Sequence, residues 1–228
     1  MAETVFVIAA HPDDEILGVG GTLARHARDG DDVHVFILAE GATSRLAERD
    51  LGQSSGELSS LRMASIEAAK TIGSSTPHFA DFPDNRMDSV DFLDIVKWLE
   101  AAIGDVRPTI VYTHHYGDLN VDHGLVHQAV LTAFRPLPDQ PTPSIYTFET
   151  PSSTEWGVRS QPFVAQHYVN IADTLDVKMA ALAHYEMEMR AFPHPRSIEA
   201  IEALAKWRGA EIGVPAGEAF GVVRTIRR

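Results

Sequence analysis

The run Ala10-His11-Pro12-Asp13-Asp14-Glu15 places one imidazole beside three carboxylates, directly after the apolar segment Val5-Phe6-Val7-Ile8-Ala9. That set of residue types suits a metal-centred hydrolytic site. An imidazole and a carboxylate share an ion, and a second carboxylate remains to move protons. Pro12 biases His11 towards extended geometry and presets the first turn of a helix. His11 and Asp14 can then converge on one ion while Asp13 projects separately. The plainer reading makes Asp13, Asp14 and Glu15 helix-start residues favoured by the macrodipole, and His11 a buried strand-end histidine. A histidine and a proline at a strand-to-helix crossing argue against it.

A second constellation, His114-His115-Tyr116-Gly117-Asp118-Leu119-Asn120-Val121-Asp122-His123, with His127 one turn later, also follows an apolar strand and opens a helix. It offers a third ligand for a two-histidine, one-carboxylate site with open positions for water and substrate. His123 and His127 stand at i, i+4, which can chelate zinc on a helix face. The glutamate that accompanies that helical motif is missing, so His123 is taken as the ligand and His127 as a packing or capping residue. Gly52-Gln53-Ser54-Ser55-Gly56 imitates a nucleophile elbow in letters, but no buried strand precedes it. Gly18-Val19-Gly20-Gly21 lacks the spacing of a dinucleotide fingerprint and falls inside a helix, where it reads as close helix packing.

The elements that must position these residues alternate. Strand patterns cover 5–9, 33–38, 78–82 and 109–113, and helical patterns cover 15–29, 58–72, 92–103 and 121–134. Such alternation predicts an α/β fold, Rossmann-like, with a mostly parallel sheet flanked by helices on both faces. In open sheets of this kind ligands bind beyond the carboxyl ends of the strands, where His11, Glu40, His114 and His115 all fall. Residues 41–56 read as a polar surface loop. The stretch 136–162 is rich in Pro, Ser and Thr and has no assigned element. A strand around 166–171, helices over 175–189 and 197–208, and a strand over 220–226 complete the chain. The two loop segments are expected to line the pocket mouth. Tyr146, Phe148 and Trp156 fit core packing better than stacking on a sugar. Phe192-Pro193-His194-Pro195-Arg196 could bring His194 or Arg196 to the site or to a subunit contact.

Composition narrows the classes. A length of 228 residues without a linker-like break predicts one domain spanning 1–228. A net charge of −13 argues against nucleic-acid or anionic-membrane partners. With no cysteine, disulfides and thiolate ligands are excluded, so a metal must be held by His, Asp and Glu. No apolar run approaches the roughly 20 residues that span a bilayer. The start Met1-Ala2-Glu3-Thr4 has no basic leader, and a cytoplasmic location is expected.

The His11-Pro12-Asp13-Asp14-Glu15 run followed by Asp122-His123 resembles the LmbE/PIG-L family of metal-dependent de-N-acetylases, well over residues 4–135 and loosely beyond. The resemblance implies an LmbE-like fold and His11, Asp14 and His123 as the ligands of Zn²⁺, with Fe²⁺ as an alternative. It implies Asp13 as general base, and an N-acetylated amino-sugar conjugate as the small-molecule substrate. Arg62 and Asp84 fall near family positions that contact the sugar. Family members often carry a histidine where this chain has Asn120. Asn120 can donate a hydrogen bond to an oxyanion but cannot act as a cationic acid, which leaves His115 as the nearby histidine to assist. Self-association into a homo-oligomer is also consistent with the family. The same ligand set serves Fe(II) oxygenases, but those sit on antiparallel barrels. A non-catalytic metal- or sugar-binding protein of the same fold, and an amidase for another amide, are the remaining alternatives.

Overall fold

The computed structural model describes residues 2–138 and 140–226. Seven strands form one sheet: β1 (Thr4–Ala9), β2 (Asp32–Ala39), β3 (His78–Phe82), β4 (Ile110–His114), β5 (Ser144–Phe148), β6 (His167–Asn170) and β7 (Gly217–Arg224). Their spatial order is β3-β2-β1-β4-β5-β7-β6. The first five run parallel, while β7 is antiparallel to both β5 and β6. The helices are α1 (Asp14–Asp29), α2 (Ser55–Ile72), α3 (Phe92–Ile103), α4 (Val121–Ala133), α5 (Leu175–Leu182) and α6 (Ile198–Ala210).

β1 shows why the sheet is covered twice. Its side chains alternate between two separate cores, as the pleat requires. Val5 and Val7 pack with Ile16, Leu23 and Val35 under α1 and α2, whereas Phe6 and Ile8 pack with Phe36, Ile95 and Val126 under α3 and α4. Five residues of β1, Val5 to Ala9, are 0% exposed. A strand buried on both faces reads as a continuous apolar run, as parallel sheets demand.

α1 lies so close to the sheet that a Cβ at Gly18 would sit 2.2 Å from Phe148 Cδ2, and one at Gly21 would sit 2.7 Å from Ile171 Cδ1. The glycine cluster is a packing device, as the sequence predicts. A buried ion pair fixes the same turn from below. Lys178 Nζ donates to Glu218 Oε1 at 2.6 Å and to the Leu17 carbonyl at 2.8 Å. The two Glu218 oxygens accept from the backbone of Gly21 at 3.0 Å and Thr22 at 2.7 Å.

The structure differs from the sequence reading at three elements. β5 lies within the stretch left without an element, because Ser144-Ile145-Tyr146-Thr147-Phe148 is short and flanked by Pro and Thr. Phe148 is buried in the core and Tyr146 packs against it, while Trp156 is exposed. The helix expected over 175–189 ends at Leu182 and gives way to tight turns. The last strand starts at Gly217, earlier than its apolar residues suggest.

The strand order reverses between β1 and β4, and both strands point their carboxyl ends to the same edge. That switch point is where open α/β sheets bind ligands. His11 follows β1, and the turn after β4 leads into α4 and His123.

Candidate active site

At the switch point the two sequence constellations meet. One donor atom from each of His11, Asp14 and His123 lies within 4.8 Å of the others. Asp14 Oδ2 is the hub, 3.2 Å from His11 Nδ1 and 3.3 Å from His123 Nε2. His123 Nε2 is buried and has no hydrogen-bond partner. An orphaned buried imidazole nitrogen facing a carboxylate is the arrangement a metal ion satisfies.

Each imidazole is oriented from behind. His11 Nε2 lies 3.0 Å from Asp122 Oδ2, and its Nδ1 faces Asp14 Oδ2 at 3.2 Å. Asp122 is itself fixed, accepting from the backbone of Asn85 at 2.7 Å and Met87 at 3.0 Å. His123 Nδ1 lies 3.0 Å from Asp118 Oδ1, an ion-pair approach more than a well-aligned hydrogen bond. The hydroxyls of Ser153 and Thr154 hold Asp118 in turn. A second group, His11, Asp84 and Asp122, also clusters within 4.8 Å. Its carboxylates are occupied by the hydrogen bonds just given and by Ser44 N on Asp84 at 3.0 Å. Asp14 Oδ2 also accepts from the His11 backbone at 2.8 Å, but the first group contains the orphaned His123 Nε2 and for that reason fits an ion better.

The charges point the same way. Burial opposes ionisation of Asp14, but the neighbouring imidazoles of His123 and His114 outweigh it and hold the carboxyl well below the usual range. Burial likewise opposes a charge on His123, yet Asp14 and Asp118 push it up to about 9. A cluster this rich in carboxylate calls for a cation.

Asp13 stands apart from the hub. It is 4% exposed and occupies the N-cap position of α1, without a side-chain capping hydrogen bond, at φ 111°, a conformation L-residues rarely adopt. Burial, reinforced by Asp14, raises its carboxyl well above the usual range, against the pull of Arg196. A desolvated carboxylate of raised basicity at a strained backbone position is a functional-site signature. Neither the strain nor Arg196 follows from the local sequence pattern. The isolated Phe192-Pro193-His194-Pro195-Arg196 motif was the available signal, and Arg196 Nη1 lies 3.3 Å from Asp13 Oδ2.

A cavity of about 230 Å³ opens over these residues. Asn120 lines it with both ends of its amide engaged. Oδ1 caps α4 by accepting from Asp122 N at 2.9 Å, and Nδ2 donates to Asn85 Oδ1 at 2.8 Å. Asp84 lines the cavity too, as do Ser44 and Arg45 from the first loop and Thr150 to Ser153 from the second. Arg62 does not. It is paired with Asp81, stacked 4.4 Å from the Phe79 ring, and faces a separate cavity beyond Pro12. The position on α2 that sequence placed near the sugar is therefore directed away from the pocket. His115 is also outside the pocket lining and meets the Gln161 carbonyl at 2.9 Å. His127 caps the end of β4 through the His114 carbonyl at 2.9 Å.

The sequence profile described as GlcNAc-PI de-N-acetylase (PIG-L) matches residues 6–134, more than half of the chain. The chain belongs to the PIG-L family. A Mycobacterium sp. (strain JLS) protein named 1D-myo-inositol 2-acetamido-2-deoxy-alpha-D-glucopyranoside deacetylase is 25% identical, over 83% of this chain and 75% of its own length. Among solved structures, N,N'-diacetylchitobiose deacetylase from Pyrococcus horikoshii is similar with a TM-score of 0.74 at 19% identity, covering 97% of this chain and 84% of that one. GalB, the 4-carboxy-2-hydroxymuconate hydratase of Pseudomonas putida KT2440, is similar with a TM-score of 0.79 at 23% identity, covering 99% and 98%. One PIG-L-type fold thus carries both a deacetylase and a hydratase, and the fold alone does not choose the reaction. Among the described residues no helix is long and apolar enough to cross a membrane.

Proposed function

We propose that the protein is a metal-dependent deacetylase that removes the N-acetyl group from a 2-acetamido sugar conjugate, giving the free amine and acetate. The observation that carries this reading is the convergence of His11, Asp14 and His123 beside the separate carboxylate of Asp13, in a chain of the PIG-L family. The curated relative acting on an acetamido-glucopyranoside supports the substrate class. The cavity of about 230 Å³ falls below the ~300–1,000 Å³ of drug-sized ligand pockets, which suits a single sugar ring.

His11 Nδ1, Asp14 Oδ2 and His123 Nε2 would hold a divalent ion, Zn²⁺ in the first instance, with Fe²⁺ acceptable to the same N/O donors. Such an ion supplies Lewis-acid polarisation of the amide and a nucleophile at neutral pH. Asp13 acts as general base on the attacking water and then returns the proton to the departing nitrogen. Burial favours proton uptake by that carboxylate in the first step, and the more basic departing nitrogen takes the proton in the second. Asn120 keeps one amide hydrogen beyond the one given to Asn85, and offers it to the oxyanion. Asp84, fixed at the cavity wall, accepts from a sugar hydroxyl. No sugar contact is assigned to Arg62.

The test is acetate and amine release from N-acetylglucosamine conjugates by chelator-stripped protein, before and after Zn²⁺ reloading, with metal content measured in parallel. Metal-dependent release that is lost in Asp13→Asn without loss of metal is the expected result. Equal loss of metal in Asp13→Asn and His123→Ala would refute the assigned roles.

A further inference from the structure

Three side chains from the segment joining α5 to α6 reach towards Asp13. This segment lies outside the family-matched residues 6–134. Two routes converge on the same residue. In the first, the Tyr185 hydroxyl donates to Glu15 Oε1, and Glu15 Oε2 accepts from the Asp13 backbone at 3.1 Å. Glu15 and Tyr185 are 2% and 1% exposed, so neither exchanges its partner for water. In the second, Arg196 Nη1 lies 3.3 Å from Asp13 Oδ2 and 3.4 Å from Glu188 Oε2. Glu188 also accepts from Arg45 Nη2, which ties the segment to the loop after β2. The Arg196 backbone is pinned by His194 Nδ1 on its N–H at 3.1 Å and by Arg190 N on its carbonyl at 3.2 Å.

Asp13 needs such support. At φ 111° its backbone would relax to an ordinary conformation unless held, and the carboxylate would swing with it. The three carboxylates of Asp13, Asp14 and Glu188 crowd one wall of the cavity, and Arg196 is the guanidinium that meets both Asp13 and Glu188.

We propose that residues 185–196 form the positioning clamp of the general base. Arg196 aims the Asp13 carboxylate, and Tyr185, through Glu15, holds its backbone. The proposal rests on the reading of Asp13 as base. Arg196 and Tyr185 are positioning residues: they act through Asp13 and its neighbour. The clamp brings a part of the chain outside the family-matched region into the chemistry, which makes it a place where relatives can differ.

The experiment measures kcat, KM, bound zinc and melting temperature for Arg196→Gln, Arg196→Lys, Tyr185→Phe and Asp13→Asn, and for Arg196→Gln combined with Asp13→Asn. Misplacing a catalytic group by an ångström costs about a hundredfold, so Arg196→Gln is expected to lose about that in kcat, with KM and zinc content nearly unchanged. Arg196→Lys recovers part of it. Tyr185→Phe, which keeps the ring packing and removes only the hydroxyl, loses about tenfold if the backbone shifts by a fraction of that distance. In the Asp13→Asn background, Arg196→Gln costs nothing further, because the group it positions is gone. A kcat within about twofold of the parent in both Arg196→Gln and Tyr185→Phe, with Asp13→Asn inactive, overturns the clamp and leaves the base intact. Full activity in Asp13→Asn overturns both.

Discussion

Replacing Asp13 with glycine should stabilise the protein while abolishing its activity. The residue combines two costs. Its backbone sits at φ 111°, ψ −30°, and its carboxylate is buried beside those of Asp14, Glu15 and Glu188. A non-glycine residue in so sparsely populated a region costs about 1–3 kcal/mol. Glycine removes that strain and returns about 0.5–1 kcal/mol in unfolded-state entropy, leaving a net gain of about 1 kcal/mol. Charge is separated from strain by comparison with Asp13→Asn, which loses the charge and keeps the Cβ. For a chain of this length about 1 kcal/mol corresponds to ~2–4 °C in Tm. Calorimetry on the chelator-stripped proteins should place Asp13→Gly above Asp13→Asn by that interval. Neither variant should release acetate above ~10⁻² of the parent rate. A glycine variant that melts at or below the asparagine variant would show that the backbone at 13 is relaxed, and the strain argument would fail.

Other outcomes follow from the same geometry. His123→Ala should lose its zinc on dialysis while Asp13→Asn retains one equivalent, read by elemental analysis. Glu218→Ala strands the buried Lys178 ammonium and two backbone donors of α1, and should cost about 3–5 kcal/mol in denaturant unfolding; the double variant Lys178→Met/Glu218→Leu should recover most of it. Gly18→Ala drives a methyl group into the Phe148 ring and should cost about 1–3 kcal/mol, relieved in part by Phe148→Leu. Asp31 is held below the usual carboxylate range: burial opposes this, but the Glu3 N–H and His26 outweigh it. Its contribution is thus present above its unfolded pKa of about 3.9 and fades as pH falls through the lower folded value. Asp31→Asn should be less stable than the parent at neutral pH, with the gap closing in acid.

Much of the site was legible because its signals are local. His11, Pro12, Asp13 and Asp14 are adjacent in the chain, and a proline between a strand and a helix constrains where they point. The alternation of apolar runs with helical stripes carried the first four helices and the strands through β4, since burial on both faces writes itself into the composition of β1 and β2. The glycines of α1 were readable as packing for the same reason: a helix face without side chains marks a close neighbour.

The rest depended on what tertiary structure brings together. β5 is a strand because parallel β4 on one side and antiparallel β7 on the other supply its hydrogen bonds, and five residues among prolines carry no periodicity of their own. Arg62 and Arg196 show the limit most clearly. Sequence proximity to a family position placed Arg62 at the sugar, but the turn of α2 points it across Phe79 into another cavity. Arg196, 183 residues from Asp13, reaches that carboxylate only because the segment after α5 folds back over the end of β1. The sequence determined which groups are available for the chemistry. The fold decided which of them meet, because contact across the switch point is set by strand order and loop path, and neither is written in the spacing of the residues themselves.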